Sequence, residues 1–339
     1  MLKKIFIGMA VLAVVIVGLS LYAWRQTPSS TSTGPVEKIV VGTTASGVFA
    51  APLWVAEQQG YFQQEGLDTD IRVLSAANVA LKTMLEDGTL DMVSVAQTPV
   101  VFHSFVRNDY AIIAAMADSD NSHKLLARKD RGIYTPNDLK GKAIGVTKGA
   151  SGQFFLDVFL LSHSINLAEV EIIDLAAGAL AQALVEGRVD AIATWEPHIF
   201  HAQRLLGANA CLFDTHNIVR TKFYLVAVRN FIAQHPGAIQ KFLKAIKRAE
   251  IFIQEHNNVA LDIASQRIKM DRELAKVVWD DLTFRLVLDQ SVIDVLETEA
   301  RWVIHNKFTE KTTVPNYLPF IFVDGLKAVK PGAVTIVGK

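Results

Sequence analysis

From Val36 onward the chain alternates short β-branched apolar runs with longer stretches whose apolar residues recur at helical spacing. Residues 38–42 (KIVVG) predict a strand, and 52–59 a helix that Gly60 ends. Residues 71–74 and 91–96 (DMVSVA) read as strands, with a helix over 78–87 closed by Gly88 between them. A helix over 99–107 and a strand over 111–117 follow. The rhythm restarts with a strand at 143–147 (AIGVT), then helix 153–163, strand 170–175, helix 179–186, strand 190–194 and helix 197–206. Alternation at this spacing predicts parallel sheets covered by helices, an α/β architecture. Beyond His235 the pattern turns mostly helical, including 236–255, 259–266 and 290–306.

The two halves of the alternating part repeat each other. Residues 85–93 read LEDGTLDMV and residues 184–192 read LVEGRVDAI, both Leu-x-acid-Gly-x-apolar-Asp-x-apolar. Upstream, Thr43 and Thr147 each end a strand and are soon followed by Ala-Ser-Gly-x-Phe, at Ala45 to Phe49 and at Ala150 to Phe154. Small residues are common, so either match alone carries little. Both together, in the same order, predict a duplicated α/β lobe with a period of about 100 residues, far too long for a solenoid.

The N-terminus breaks this pattern. Ile5 to Trp24 carries no charge, between Lys3-Lys4 and Arg25. As a helix rising 1.5 Å per residue it spans about 30 Å, the hydrocarbon thickness of a bilayer. A cleaved signal peptide is the alternative. The length of the run, with Leu21-Tyr22-Ala23 a poor cleavage signal, favours a retained transmembrane anchor helix over residues 1–25. The paired lysines put the N-terminus in the cytoplasm and the rest on the periplasmic side of the inner membrane. Residues 26–35, rich in Ser, Thr and Pro, read as a linker.

Composition narrows the function. The 34 Lys+Arg balance 34 Asp+Glu, which gives no electrostatic case for nucleic acid. Without Lys3, Lys4 and Arg25, residues 36–339 carry 31 basic and 34 acidic residues, a net of −3. The single cysteine, Cys211, excludes an intrachain disulfide framework, a cysteine-based zinc site and an iron–sulfur cluster; in its apolar run it reads as a buried small hydrophobe.

Two similar lobes imply a cleft at the carboxyl ends of their strands. Those ends carry residues 44–47 and Gln97-Thr98 in the first lobe, and residues 148–152 and Trp195-Glu196 in the second. Lys148-Gly149-Ala150-Ser151 combines a cation, a hydroxyl and a helix start, which suits an anion; the plainer reading is an N-cap beside a solvated lysine. Trp195 suits an apolar wall, and Glu196 either receives a donor group or merely opens the next helix. His198 and His201 lie on one helix face without a third ligand, so no metal is expected. No nucleophile elbow, no Ser-x-x-Lys pattern and no cofactor fingerprint is present, which argues against an enzyme.

These residues resemble a known family. Pro52-Leu53-Trp54-Val55-Ala56 through Gly60-Tyr61-Phe62 and Glu65-Gly66-Leu67 carry the likeness, with residues 138–142, the Lys148-Gly149 turn, and 187–191 leading to Trp195-Glu196-Pro197. The sequence is similar to the substrate-binding proteins of ABC importers for nitrate, taurine, aliphatic sulfonates and thiamine-type pyrimidines. The resemblance implies the two-lobe periplasmic-binding-protein type II fold, with hinge-crossing segments at 123–129 and 222–229. One lobe would be 36–122 plus 223–339 and the other 123–222. It implies a ligand site of Ser46, Gly47, Gln97, Thr98, Asn121, Lys148, Ala150, Ser151, Trp195, Glu196 and Thr221. A monomer without cofactor would capture a small anion there and deliver it to a permease and its ATPase. A ligand-sensing receptor is the alternative, and an enzyme of pyrimidine metabolism a weaker one. The chain departs from the sulfonate binders by carrying Ala-Ser-Gly-Gln after the Lys-Gly turn in place of a serine-rich run, and its one cysteine cannot supply the cysteine-rich motif of the related pyrimidine-synthesising enzymes.

Overall fold

The computed structural model describes residues 35–44 and 47–337. The expected anchor, nearly all of the linker, Ala45 and Ser46 lie outside the described residues. Among the described residues no helix is long and apolar enough to cross a membrane.

Eleven strands form two sheets: β1 (Glu37–Thr44), β2 (Leu67–Leu74), β3 (Met92–Ala96), β4 (Tyr110–Ser119), β5 (His123–Arg128), β6 (Ala143–Val146), β7 (Glu171–Asp174), β8 (Ala191–Trp195), β9 (Ala210–Leu212), β10 (Thr221–Val228) and β11 (Thr283–Val287). The six-stranded sheet has the order β11-β4-β10-β3-β1-β2, and the five-stranded sheet the order β7-β6-β8-β5-β9. Each is a mixed α/β layer and not the purely parallel sheet that the alternation predicts. β1 pairs in parallel with β2 and β3, but β10 runs antiparallel to both β3 and β4, and β5 antiparallel to β8. The cause is connectivity. The chain leaves the first sheet at Ser119, enters the second at His123, and returns through Thr221. The returning strand enters from the far end and so points backwards between β3 and β4.

Burial explains why the strands hold. In β5, Leu125 packs with Phe155 and Phe159 on one face, and Leu126 with Leu180, Ile192 and Ile199 on the other. Alternate residues of a strand point to opposite faces, so a run apolar at every position is a strand covered on both sides. The first sheet is covered by helices that include Ala51–Gln58 and Pro236–Glu255, and Phe62 stacks on Phe242 with ring centroids 5.2 Å apart.

The sequence repeat has a structural counterpart. Asp91 accepts a hydrogen bond from the Val40 N–H at 2.8 Å, while its own N–H donates to the Val40 carbonyl at 2.9 Å. Asp190 does the same to Ala143, at 3.0 and 2.8 Å. The glycines of the two motifs, Gly88 and Gly187, both have positive φ, 63° and 75°. The mostly helical expectation for the C-terminal part misses β11. Its residues alternate exposed and buried at an edge, and the run is too short to stand out between two helices.

Candidate functional site

Between the two sheets lies a cavity of about 860 Å³, reached by both chain crossings and by the carboxyl ends of β1, β3, β6 and β8. Its apolar wall includes Phe49, Phe102 and Phe223 from the six-stranded side and Trp195 from the five-stranded side. Phe49 and Phe223 stack with centroids 4.3 Å apart. Val278, Asp281 and Leu282 close it from the C-terminal end of helix Arg272–Asp280 and the turn after it.

A chain of polar groups runs along one side. Ser122 donates to Thr221 at 2.8 Å and lies 3.0 Å from His123 Nδ1, while His123 Nε2 lies 2.8 Å from the Ser151 hydroxyl. Burial pushes the His123 imidazole down to about 4, so the ring is neutral at pH 7. The neutral ring carries one N–H, so it donates on one side of this chain and accepts on the other.

Of the sequence-derived residues, Thr98, Ala150, Ser151, Trp195, Glu196 and Thr221 line this cavity. Glu196 has one oxygen, Oε2, 2.8 Å from the Phe200 N–H, and burial raises its carboxyl above the ordinary range. Thr98 reaches the cavity but sends its hydroxyl the other way, to the buried Glu299 at 2.5 Å.

Four others stand elsewhere. Lys148 is exposed, its backbone N–H donates to Asp174 at 3.0 Å, and its side chain is not part of the wall. The turn carries it outward, because Gly149 takes positive φ and brings only Gly149 and Ala150 to the cavity. Gln97 is buried and accepts from the Lys222 N–H at 2.9 Å, fixing the returning strand. Asn121 joins the crossing to the opposite side, donating to Asp281 at 2.8 Å and accepting from Thr215 at 2.7 Å. Gly47 is a turn residue: a Cβ there would meet the Thr44 carbonyl oxygen at 2.7 Å. Ser46 lies outside the described residues.

Sequence reasoning missed Ser122, His123 and Asp281. Ser122 and His123 sit where the chain crosses, a place no local periodicity marks. Asp281 comes from a region that reads only as helix. Lys124, beside His123, is buried and ion-paired with Asp281, and it also donates to the Asn121 carbonyl at 3.0 Å. Among the described residues, no cluster of three or more His, Cys, Asp or Glu is placed to hold a metal.

Two sheets joined by paired crossings, with a cavity between their carboxyl ends, define a two-lobe solute-binding fold. Solved structures share it: the periplasmic aliphatic sulphonate binding protein SsuA from Escherichia coli matches with a TM-score of 0.70 at 17% identity, over 84% of this chain and 99% of that one. The desulfurization enzyme DszB also shares the fold, with a TM-score of 0.63 at 14% identity, over 87% of this chain and 99% of that one. In sequence, the chain is 28% identical over 274 residues to a Bacillus subtilis (strain 168) protein named for binding aliphatic sulfonates, covering 77% of this chain and 80% of that one. The family model described as NMT1/THI5 like matches residues 49–260, more than half of the chain, and the chain belongs to that family.

Proposed function

We propose that this chain is an extracytoplasmic solute-binding protein that closes two lobes on a small organic ligand and presents it to an ABC importer. The lobes would be residues 36–122 plus 223–339 and residues 123–222, and residues 1–25 a membrane anchor or a cleaved signal. The observation that carries the reading is the cavity walled by both sheets, with the two crossings, Ser122 and Thr221, bonded to each other at its edge. Contacts to both walls couple binding to closure, because ligand stabilises whichever arrangement lets both walls touch it. The sulfonate-binding relative and the periplasmic neighbour support export and solute capture. They leave the ligand open, because the cationic residue expected to meet an anion, Lys148, is not in the wall.

Enzyme action is the weaker reading, although DszB shares the fold. His123 meets Ser151, but an imidazole held near 4 is a poor general base at neutral pH. The test is small-angle scattering and thermal unfolding of the full chain across a panel of amino acids, amines, sulfonates and pyrimidines. One class should raise Tm and compact the molecule. No response to any class, or turnover of a bound compound, would overturn the proposal.

A further inference from the structure

The charges around the cavity point to the chemistry of its ligand, and this step rests on the binding-protein reading above. Among the described residues, no lysine or arginine lines the cavity, whereas two carboxylates do: Asp281, whose charge Lys124 balances, and Glu196. The nearby cations are engaged elsewhere. Lys124 is held by Asp281 and the Asn121 carbonyl, and Lys222 is fully buried, with its Nζ 3.8 Å from Asp289. The imidazoles do not compensate, since burial lowers His103, His123 and His198 below the ordinary value. A sulfonate would bring a full negative charge into a space without a cation, and burying an unpaired charge is costly.

Among the remaining polar groups one carboxylate oxygen stands free. Glu196 has Oε2 capped by the Phe200 N–H, and among the described residues its Oε1 has no hydrogen-bond partner. The Ser151 hydroxyl is engaged by His123, and Thr98 sends its own away from the cavity to Glu299. Donors also line the cavity, among them the Asn78 amide, the Ser75 and Thr221 hydroxyls and the first amides of helix Ser151–Ser162, which suit an acceptor atom on the ligand. Around them stand Trp195, Phe49, Phe102 and Phe223, aromatic rings whose faces attract a cation.

We infer that the ligand of this cavity is an organic amine, a compact apolar or aromatic body whose protonated nitrogen is received by Glu196, and not a sulfonate. Glu196 is then the residue that determines specificity for charge.

The experiment is isothermal titration calorimetry of the full chain with matched pairs that share a body and differ in charge. Suitable pairs are benzylamine against phenylmethanesulfonate, phenethylamine against 2-phenylethanesulfonate, and butylamine against butanesulfonate, with benzyl alcohol as the neutral reference. The amine of at least one pair is expected to bind at least tenfold tighter than its sulfonate. Glu196→Gln should cost that amine tenfold or more while changing benzyl alcohol affinity less than threefold. Sulfonates binding more tightly, or an amine affinity indifferent to Glu196→Gln, would overturn the amine assignment and leave the binding-protein reading standing. Heat from no probe, in a chain that also fails to compact with the wider panel, would overturn both.

Discussion

The six-stranded and five-stranded halves are built on the same device and put it to different uses. In each, an aspartate after a positive-φ glycine locks a neighbouring parallel strand, Asp91 to Val40 of β1 and Asp190 to Ala143 of β6. Beyond the next strand the halves part. The six-stranded half spends its strand-end polar groups inward, Gln97 on the returning strand and Thr98 on Glu299. The five-stranded half turns Ser151, Trp195 and Glu196 to the cavity. A duplicated frame therefore does not duplicate a site. One half turns these groups to the crossing and the core, the other to the cavity.

The largest expected effect comes from the tie between the halves. Lys124 on β5 is ion-paired with Asp281 on the opposite side, with side-chain exposures of 7% and 16%. Lys124→Met would leave the Asp281 carboxylate and the Asn121 carbonyl desolvated without their cation. Removing one partner of a buried pair costs about 3–5 kcal/mol, and urea unfolding should lose about that much. A loss below about 1 kcal/mol would mean that other contacts hold the halves, for instance Phe154 against Trp302 and Trp302 donating to Asp157 at 2.7 Å.

The halves should also answer pH with opposite slopes. Burial raises Glu299, in the core of the six-stranded half, to about 7, and lowers His123 to about 4. The unfolded reference values are 4.5 and 6.5. Between pH 4.5 and 7 the folded state binds the Glu299 proton more tightly than the unfolded state, so this group's contribution falls as pH rises. Between pH 6.5 and 4 the unfolded state takes the His123 proton more readily, so stability falls as pH drops. At about 1.4 kcal/mol per pKa unit, each effect is on the order of 3 kcal/mol at most. Glu299→Gln should flatten the loss toward neutral pH, and His123→Gln the loss toward acid, in unfolding curves taken from pH 4 to 8. The same flattening in both variants would show that the two groups are not separately responsible.

Next in size are the two locking aspartates. Asp91→Ala and Asp190→Ala each leave a strand N–H without its acceptor, a cost of about 1–3 kcal/mol. If the repeat is mechanical as well as sequential, the two losses in denaturant unfolding should agree within about 1 kcal/mol. A large loss in one half alone would break the comparison.

What the sequence could tell follows from what local pattern encodes. Helix Pro236–Glu255 is legible to the residue, because proline opens it and twenty residues keep one apolar face. The repeat was legible because it is written in contiguous residues, whereas the aspartate locks it encodes are seen only in the fold. Strand direction was not legible: β10 is largely apolar, like a parallel core strand, and only the route of the chain makes β5 and β10 antiparallel. Which residues reach the cavity was legible only in part, for the same reason. Lys148 has the right neighbours in sequence, yet a single positive-φ glycine turns it out to solvent. Asp281 enters from the far side of the fold, where nothing nearby in the sequence marks it.

The smallest effect tests the comparison at one atom. Gly88 and Gly187 occupy equivalent left-handed positions, where a Cβ costs about 1 kcal/mol or slightly more. Their surroundings differ. A Cβ at Gly88 meets nothing within 4 Å, whereas one at Gly187 would come within 2.8 Å of the Arg131 guanidinium. That guanidinium is the far end of a flexible chain, exposed, and bonded to the Gly187 carbonyl at only 3.3 Å. It can swing aside with little loss, because exposed contacts of this kind contribute about 0–1 kcal/mol. Gly88→Ala should therefore lower stability by about 1 kcal/mol, and Gly187→Ala by the same amount plus a few tenths. If the second variant instead loses 2 kcal/mol more than the first, the Arg131 contacts to Gly187 and to Asp190, 3.6 Å away, are structural. The five-stranded half would then lean on a support that its counterpart lacks.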